Sequence, residues 1–501
     1  MILARTVPCR STSTALALAL LLASSSALGD PAPADAACTA AQTFEYTEPT
    51  RKNYLRAVLE IQALYAFGFL WYLTAARQDW DAGYGWETFR QKLSSPPEHD
   101  INAFGTNFRG HPFGGTGYYW AARGNRLGIG EAFGITFLSS LGWEYFGEVS
   151  ERVSANDLIV TPVAGLAIGE AFTQLGAYFD RSSRTLWHRT LGTLFGPIKT
   201  VNDALDGARL ARATGAAPER EWHDFPLSVS LATVHEAGTL PSQTTAGELR
   251  LSLSERLSRL AGYVGAAERD EWFSDAELSG IGVSAALSRH GLSDFLFEPH
   301  VVLLGHYARF ARGSGSALRG GGTATGLRVG FSYQLHDYRR EQPGVTDRMA
   351  LVEPVGWFLE TRSTLGASRL RLTFDANAEY GGVHSIALEQ YRGSAELPRV
   401  LQTFGYYFGA GGRVRSQAEV GIGDFRFDAN FAALTLGYVD ERAAPPLSDG
   451  FARFGAGCGF AGISGLSLRA FAERAERFGR MGSVSVNASE LAFGIEGTTR
   501  L

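Results

Sequence analysis

Three stretches of this chain gather residue types that act as acids, bases and ligands. The first runs Asn107-Phe-Arg-Gly-His111-Pro112 and on through Tyr118 to Arg123; the second is Trp143-Glu144-Tyr-Phe-Gly-Glu148; the third carries Asn156-Asp157, Thr161-Pro162 and Gly169-Glu170. Glu144 and Glu148 are four apart, so on a helix they share a face about 6 Å apart. Removing two carboxylates from water there is costly unless a metal, a cation or a shared proton compensates. His111 would complete a mixed oxygen and nitrogen ligand set with those acids, with Asp157 or Glu170 as a further ligand or acid, or serve as a general base beside them. The other reading is an internal polar network: Arg123 pairs with Glu144 or Glu148, His111 caps a helix, Asn107 and Asp157 hold loops, and Tyr118 and Glu170 join the network. Both readings stay open at this stage. Gly110 and Pro112 flank His111 and predict a loop-to-helix junction, with Tyr118 and Arg123 on the helix that follows.

Other catalytic signals are weak. Gly110-His-Pro-Phe-Gly114-Gly115-Thr-Gly117 lacks the Lys-Ser/Thr of a P-loop, and no G-x-S-x-G elbow occurs. The residues name no cofactor, and the identity of any metal stays open.

The elements that must position these residues fall into two halves. From Arg51 to about Gly215 the periodicity is helical, with apolar segments at Ala57–Leu73, 130–148 and 157–178. Glu60 and Gln62 interrupt the first, which reads as a helix buried in a soluble core rather than a transmembrane span. Glycines at 134, 142, 147, 165, 169 and 176 would let helices approach closely. Beyond about residue 220 the period becomes two. Leu327, Val329, Phe331, Tyr333 and Leu335 alternate with polar or small residues, and Leu370, Leu372, Phe374, Ala376, Ala378 and Tyr380 alternate with Arg371, Asp375 and Glu379 among others. Runs of about 9–11 residues cross a membrane, whereas sandwich strands are shorter, and ionised residues in succession on one face suit a wet lumen. About twelve such segments predict a closed antiparallel barrel. The final Gly497-Thr-Thr-Arg-Leu501 departs from the aromatic ending common in such barrels, which keeps a large soluble β domain in the periplasm as the alternative.

The linked elements Asn107-x3-His111-Pro112, Gly117-Tyr118-Tyr119, Ala122-Arg123, Trp143-Glu144-x3-Glu148, Asn156-Asp157-Leu158-x2-Thr161-Pro162 and Gly169-Glu170 occur in order. Through them, residues about 70–210 resemble a bacterial family known as domain of unknown function 3943. The resemblance implies an envelope protein, often with a β-rich remainder, and brings no established activity or site assignment.

Composition fits that compartment. The 501 residues are 45% hydrophobic and 19% charged, with 60 glycines and 12% aromatics, so a large core is available and disorder is excluded for most of the chain. The 46 basic and 51 acidic residues give a net charge of −5 and are interspersed, which argues against nucleic acid as a partner. Arg5 and Arg10 precede the apolar run Ala15–Ala23, and Ala27 and Gly29 stand before Asp30, the pattern of a cleaved secretory signal. Asp35 argues against a lipid anchor on Cys38, and Cys38 and Cys458 are too few for a disulfide framework or a thiolate zinc site.

The expected organisation is an α+β chain: a signal peptide at 1–29, a flexible lead-in at 30–50, a helical domain at 51–219, and a barrel of about 12 strands at 220–501. The expected location is the bacterial outer membrane, with its lipids as partners and the helical domain on the periplasmic side or partly plugging the lumen. An envelope-lipid-modifying enzyme of hydrolase type is the alternative to a barrel without catalytic activity. Its ligand would be a lipid or small amphiphile, handled by His111, Glu144, Glu148 and Asp157, with Glu170 as a further acid.

Overall fold

The computed structural model describes residues 44–47, 51–74, 85–148, 151–182, 185–212, 222–239, 245–260, 268–312, 319–338, 346–391, 397, 399–439, 445–461 and 465–500. The signal peptide, the lead-in up to residue 43 and Cys38 lie outside them.

The period-two segments form the barrel strands β1 (Pro226–Gly238), β2 (Thr245–Ser258), β3 (Leu278–Ser288), β4 (Gly291–Arg312), β5 (Arg319–Asp337), β6 (Thr346–Leu365), β7 (Ser368–His384), β8 (Tyr406–Ile422), β9 (Phe425–Tyr438), β10 (Leu447–Ala461), β11 (Ser467–Met481) and β12 (Val484–Arg500). Each pairs antiparallel with the next, and β12 returns to β1 from Ala488↔Gly238 to Arg500↔Pro226. These 12 strands therefore close without an edge, as an outer-membrane-type barrel requires.

The alternation sorts side chains between lumen and outer surface. Arg477 on β11 meets Asp347 on β6 at 2.7 Å, Arg415 on β8 meets Glu298 on β4 at 3.3 Å, and His336 on β5 meets Glu490 on β12 at 3.0 Å. None of these strand pairs is adjacent in the sheet, so the side chains meet across the lumen. Leu231, Leu304, Trp357, Leu372, Phe427 and Phe493 point the other way and are exposed. Ile386 and Leu401, from the connection between β7 and β8, pack with Met349, Leu351, Tyr407 and Leu434 and cover one mouth of the lumen.

The helical half comprises α1 (Tyr54–Thr74), α2 (Trp86–Ser94), α3 (His111–Gly124), α4 (Ile129–Gly142), α5 (Asp157–Ser182), α6 (Leu186–Phe195) and α7 (Pro197–Asp206). A two-stranded antiparallel sheet joins its two ends, Phe44–Thr47 against Arg209–Arg212. Glycine permits close backbone contact in this layer: a Cβ on Gly165 of α5 would lie 2.6 Å from the carbonyl oxygen of Gly115 on α3.

The helices neither plug the lumen nor hang clear of the barrel. They lie on the outer face of the wall. Val301, Val329, Phe331 and Val352 point opposite to the lumen residues Arg328 and Glu353, and they bury with Val160, Val163, Ala167 and Ile168 of α5 in one core. Phe172 stands 6.2 Å from Phe297, Phe108 5.6 Å from Tyr406, and Tyr178 5.4 Å from Phe225. Thus α5 crosses the outward faces of several strands. Of the two expected placements, on the periplasmic side or partly plugging the lumen, the plug is corrected for a physical reason: the lumen is polar and crossed by ion pairs, while the apolar stripe of α5 finds its match outside.

The expectation for Ala57–Leu73 is also corrected. It is helical, but only Ala57, Ile61 and Tyr72 of α1 are buried, while Leu55 is 71% exposed, Phe67 65% and Leu59 60%. An apolar helix whose free side stays apolar is suited to a non-aqueous neighbour.

Candidate functional site: a buried carboxylate cluster on the outer wall

Two turns wider than an α-helix frame the site. Thr106–Gly110 is a π-helical turn running straight into α3, with the His111 N–H donating to the Thr106 carbonyl. Pro112 has no N–H to donate and its ring would crowd the carbonyl four residues back, and a widened turn relieves both. His111 therefore sits at a π-to-α junction, which replaces the expected loop. Trp143–Gly147 is a second π turn, closed by the Glu148 N–H on the Trp143 carbonyl at 3.1 Å. The Trp143 ring packs between Phe69 and Tyr72 of α1 and donates its indole N–H to Glu148 Oε1 at 2.9 Å.

These turns bring the acids together. Carboxylate oxygens of Glu144, Glu148 and Asp157 lie within 4.8 Å of one another, and the three residues are only 1–2% exposed. Glu144 Oε2 accepts the Ser154 N–H at 2.7 Å, and Asp157 Oδ1 accepts from Asn156 at 2.9 Å. Glu144 Oε1, Asp157 Oδ2 and His111 Nε2 are buried without hydrogen-bond partners, and Nε2 stands 3.5 Å from Asp157 Oδ2. Lys92 of α2 reaches in from the side. Its Nζ donates to the backbone carbonyls of Glu144 and Glu148, the latter at 2.5 Å, and so adds one positive charge without pairing a carboxylate in the cluster.

Burial sets the electrostatics. It holds the Glu144 carboxyl well above the usual range, with the charge of Glu148 adding to the effect, and pushes Glu148 up to about 8. His111 is pulled down to about 4 by the same desolvation. A neutral imidazole with a bare nitrogen facing carboxylate oxygens is a ligand or a base, not an ion-pair partner.

Asp100 fastens the cluster to the barrel. Its oxygens accept from Asn102 and Asn107 at 2.7 Å each, and Asn107 also donates to Tyr406 Oη of β8 at 3.0 Å. Asn107 therefore ties the Thr106–Gly110 turn to Asp100 and to β8. Arg123 does not reach Glu144 or Glu148; that expected pairing is corrected. Its guanidinium holds Glu170 at 2.8 and 3.0 Å, and Tyr119 Oη donates to the same carboxylate at 2.8 Å. Arg123 lies three turns into α3, where the facing residue of α5 is Glu170. Tyr118 also departs from the expected network: it packs with Ile61, Ala121 and Tyr65 in an apolar cluster. Sequence reasoning missed Lys92 and Asp100, and it placed Tyr119 and Trp143 in the motifs without giving either a role. A lone lysine in a chain with only three, followed by a helix-ending Ser94-Ser95-Pro96, is a signal that points to Lys92.

Outer-membrane-type barrel plus outer-wall helical layer defines the class. Residues 96–198, which contain the whole cluster, match the model of the family described as Domain of unknown function (DUF3943). No curated protein matches the chain. Among solved structures, the NanC porin is 10% identical, covering 55% of this chain and 99% of its own at a TM-score of 0.24. Outer membrane phospholipase A from Escherichia coli is 11% identical, covering 55% and 89% at 0.23. A loop L8 deletion mutant of OmpT, an outer membrane protein of Vibrio cholerae, is 9% identical, covering 56% and 99% at 0.22. The barrel assignment stands on its own closed register.

Proposed function

We propose that this protein is an integral outer-membrane protein in which the barrel is an anchor and the helical layer acts on an envelope lipid or related amphiphile. The observation that carries the reading is the placement of the cluster. Desolvated acids and an imidazole nitrogen without a hydrogen-bond partner lie behind α1 and the Trp143 turn, whose outward side is apolar and exposed, on a wall that would otherwise face acyl chains. Acyl chains would lie along Phe67, Leu70 and Trp71, all more than half exposed, while the polar headgroup reaches toward His111 and the acids. His111 and the acids are the groups that would act on the headgroup, as base and acid or through a cation they hold.

The test is turnover. Purified protein in mixed micelles with extracted outer-membrane lipid should change the lipid profile read by mass spectrometry, and His111→Ala should abolish the change by about a hundredfold or more, the usual weight of a general base. No change in any lipid class with wild-type protein at neutral pH would end the reading.

A further inference from the structure

We propose that His111, Glu144, Glu148 and Asp157 form a binding site for one divalent first-row cation, of the Mn2+ or Zn2+ kind. The inference deepens the lipid reading, since it concerns the same cluster, but it rests on geometry alone.

Carboxylate oxygens from three residues lie within 4.8 Å of one another, and ligand atoms about 2.1 Å from a common centre stand no more than about 4.2 Å apart, so a small inward movement suffices. The second observation is the imidazole. His111 Nε2 is buried, has no hydrogen-bond partner and faces Asp157 Oδ2 at 3.5 Å, itself without a partner. At 3.5 Å the two atoms stand beyond an ordinary N–H···O bond, and the neutral tautomer protonated on Nδ1 would offer the Nε2 lone pair to a cation placed between them. Glu144 Oε1 is a third buried polar atom without a hydrogen-bond partner, on a carboxylate of the same group. The candidate ligands come from three elements, the Trp143 turn and α5 supplying the carboxylates and α3 supplying His111 at their edge, beside Asp157.

Charge agrees. Three carboxylates carry −3 when ionised, and a dication with Lys92 beside it offsets that charge inside a dry layer. Asp100, the adjacent acid, is already held by the amides of Asn102 and Asn107. The donor set selects the metal: three oxygens with one imidazole nitrogen suit Mn2+ or Zn2+ better than an all-oxygen Ca2+ site or a thiolate site. The supports are also of the kind that orient ligands, with Ser154 N–H on Glu144, Trp143 on Glu148 and Asn156 on Asp157.

A rival location exists in the lumen. Glu236, His336 and Glu490 also lie within 4.8 Å of one another, but there both imidazole nitrogens are engaged, Nδ1 with Asp294 at 3.1 Å and Nε2 with Glu490 at 3.0 Å. That site is held as an ion pair.

The experiment uses the full chain in detergent, stripped with a chelator and titrated with Mn2+ and with Zn2+ by calorimetry, with bound metal measured after desalting. Wild type should take up one equivalent of at least one of the two. Asp157→Asn and Glu144→Gln, which keep shape, should weaken it by more than about tenfold, the loss found even for outer-shell partners, while His336→Gln should leave it unchanged. Circular dichroism confirms that each variant is folded; should one fail to fold, His111→Gln, at the edge of the cluster, replaces it. No stoichiometric metal on wild type, or equal binding by the folded variants, overturns the site; loss with His336→Gln alone moves it to the lumen. Metal bound without any lipid turnover leaves the site standing and removes only the lipid reading.

Discussion

At the scale of residues, burial decides which partner each charge finds. Glu170 has no exposed surface and is neutralised by Arg123 and hydrogen-bonded by Tyr119. Removing one member of such a pair strands the other in a dry layer, so Arg123→Met should cost about 3–5 kcal/mol of stability, and adding Glu170→Gln should recover most of that. Denaturant unfolding of the three forms checks it, and a single mutant within about 0.5 kcal/mol of wild type would show that water reaches Glu170. The sequence announced that Arg123, His111 and the acids sit in one layer, because linked polar residues in apolar helices need partners. It did not announce who pairs with whom. A π turn shifts every following side chain by part of a turn, and the two π turns, at Thr106–Gly110 and Trp143–Gly147, come just before His111 and around Glu144. Those shifts gather Glu144, Glu148 and Asp157 and leave Arg123 to Glu170.

At the scale of elements, the helical layer is held by close backbone approach rather than by large side chains. Gly165 and Gly115 face each other where α5 crosses α3, and Gly169 leaves room for the Tyr119 ring, which a Cβ would meet at 2.7 Å. Gly165→Val should therefore force the two helices apart and cost about 1–3 kcal/mol or more by overpacking. The helical far-ultraviolet signal should melt earlier while the strand signal keeps its midpoint, because β1 and β9–β12 do not touch α5 within the described core. Coincident loss of both signals would mean that layer and barrel unfold as one. Glycine spacing made this packing legible, as did the apolar stripe of α5. The fate of α1 was not legible: Ala57–Leu73 is apolar on nearly every side, and such a pattern reads the same whether protein or lipid covers it.

At the scale of the whole molecule, the twelve strands and their alternation could be read because a period of two leaves few other folds for runs of such length. Where the helices dock could not be read, since an outward apolar face has the same residues whether a lipid or α5 lies against it. The lumen is different, because its contents come from the strands themselves. Arg413 stands 2.8 Å from Glu379, Arg415 2.9 Å from Glu353, and Arg477 2.7 Å from both Asp347 and Asp449, with all of these acids buried. Ile386 and Leu401 cover one mouth above them. Twelve strands enclose a narrow interior in any case, and here crossed ion pairs occupy its middle. A cavity of about 240 Å³ lies in the lumen, lined by residues of β10–β12 and β1–β5 such as Arg250, Glu473 and Glu490, on the side of the barrel away from the bridges of β7 and β8. Vesicles carrying the protein should therefore release a small neutral sugar no faster than protein-free vesicles, and planar bilayers should show no steady conductance at neutral pH. Replacing the pair Arg477 and Asp347 by alanine removes the crossing bridge below the covered mouth and should raise transient conductance without opening a sugar path, because Ile386 and Leu401 remain. Steady conductance of the wild-type chain would show instead that these bridges part readily, and would make the barrel a pore rather than an anchor for the layer on its outer wall.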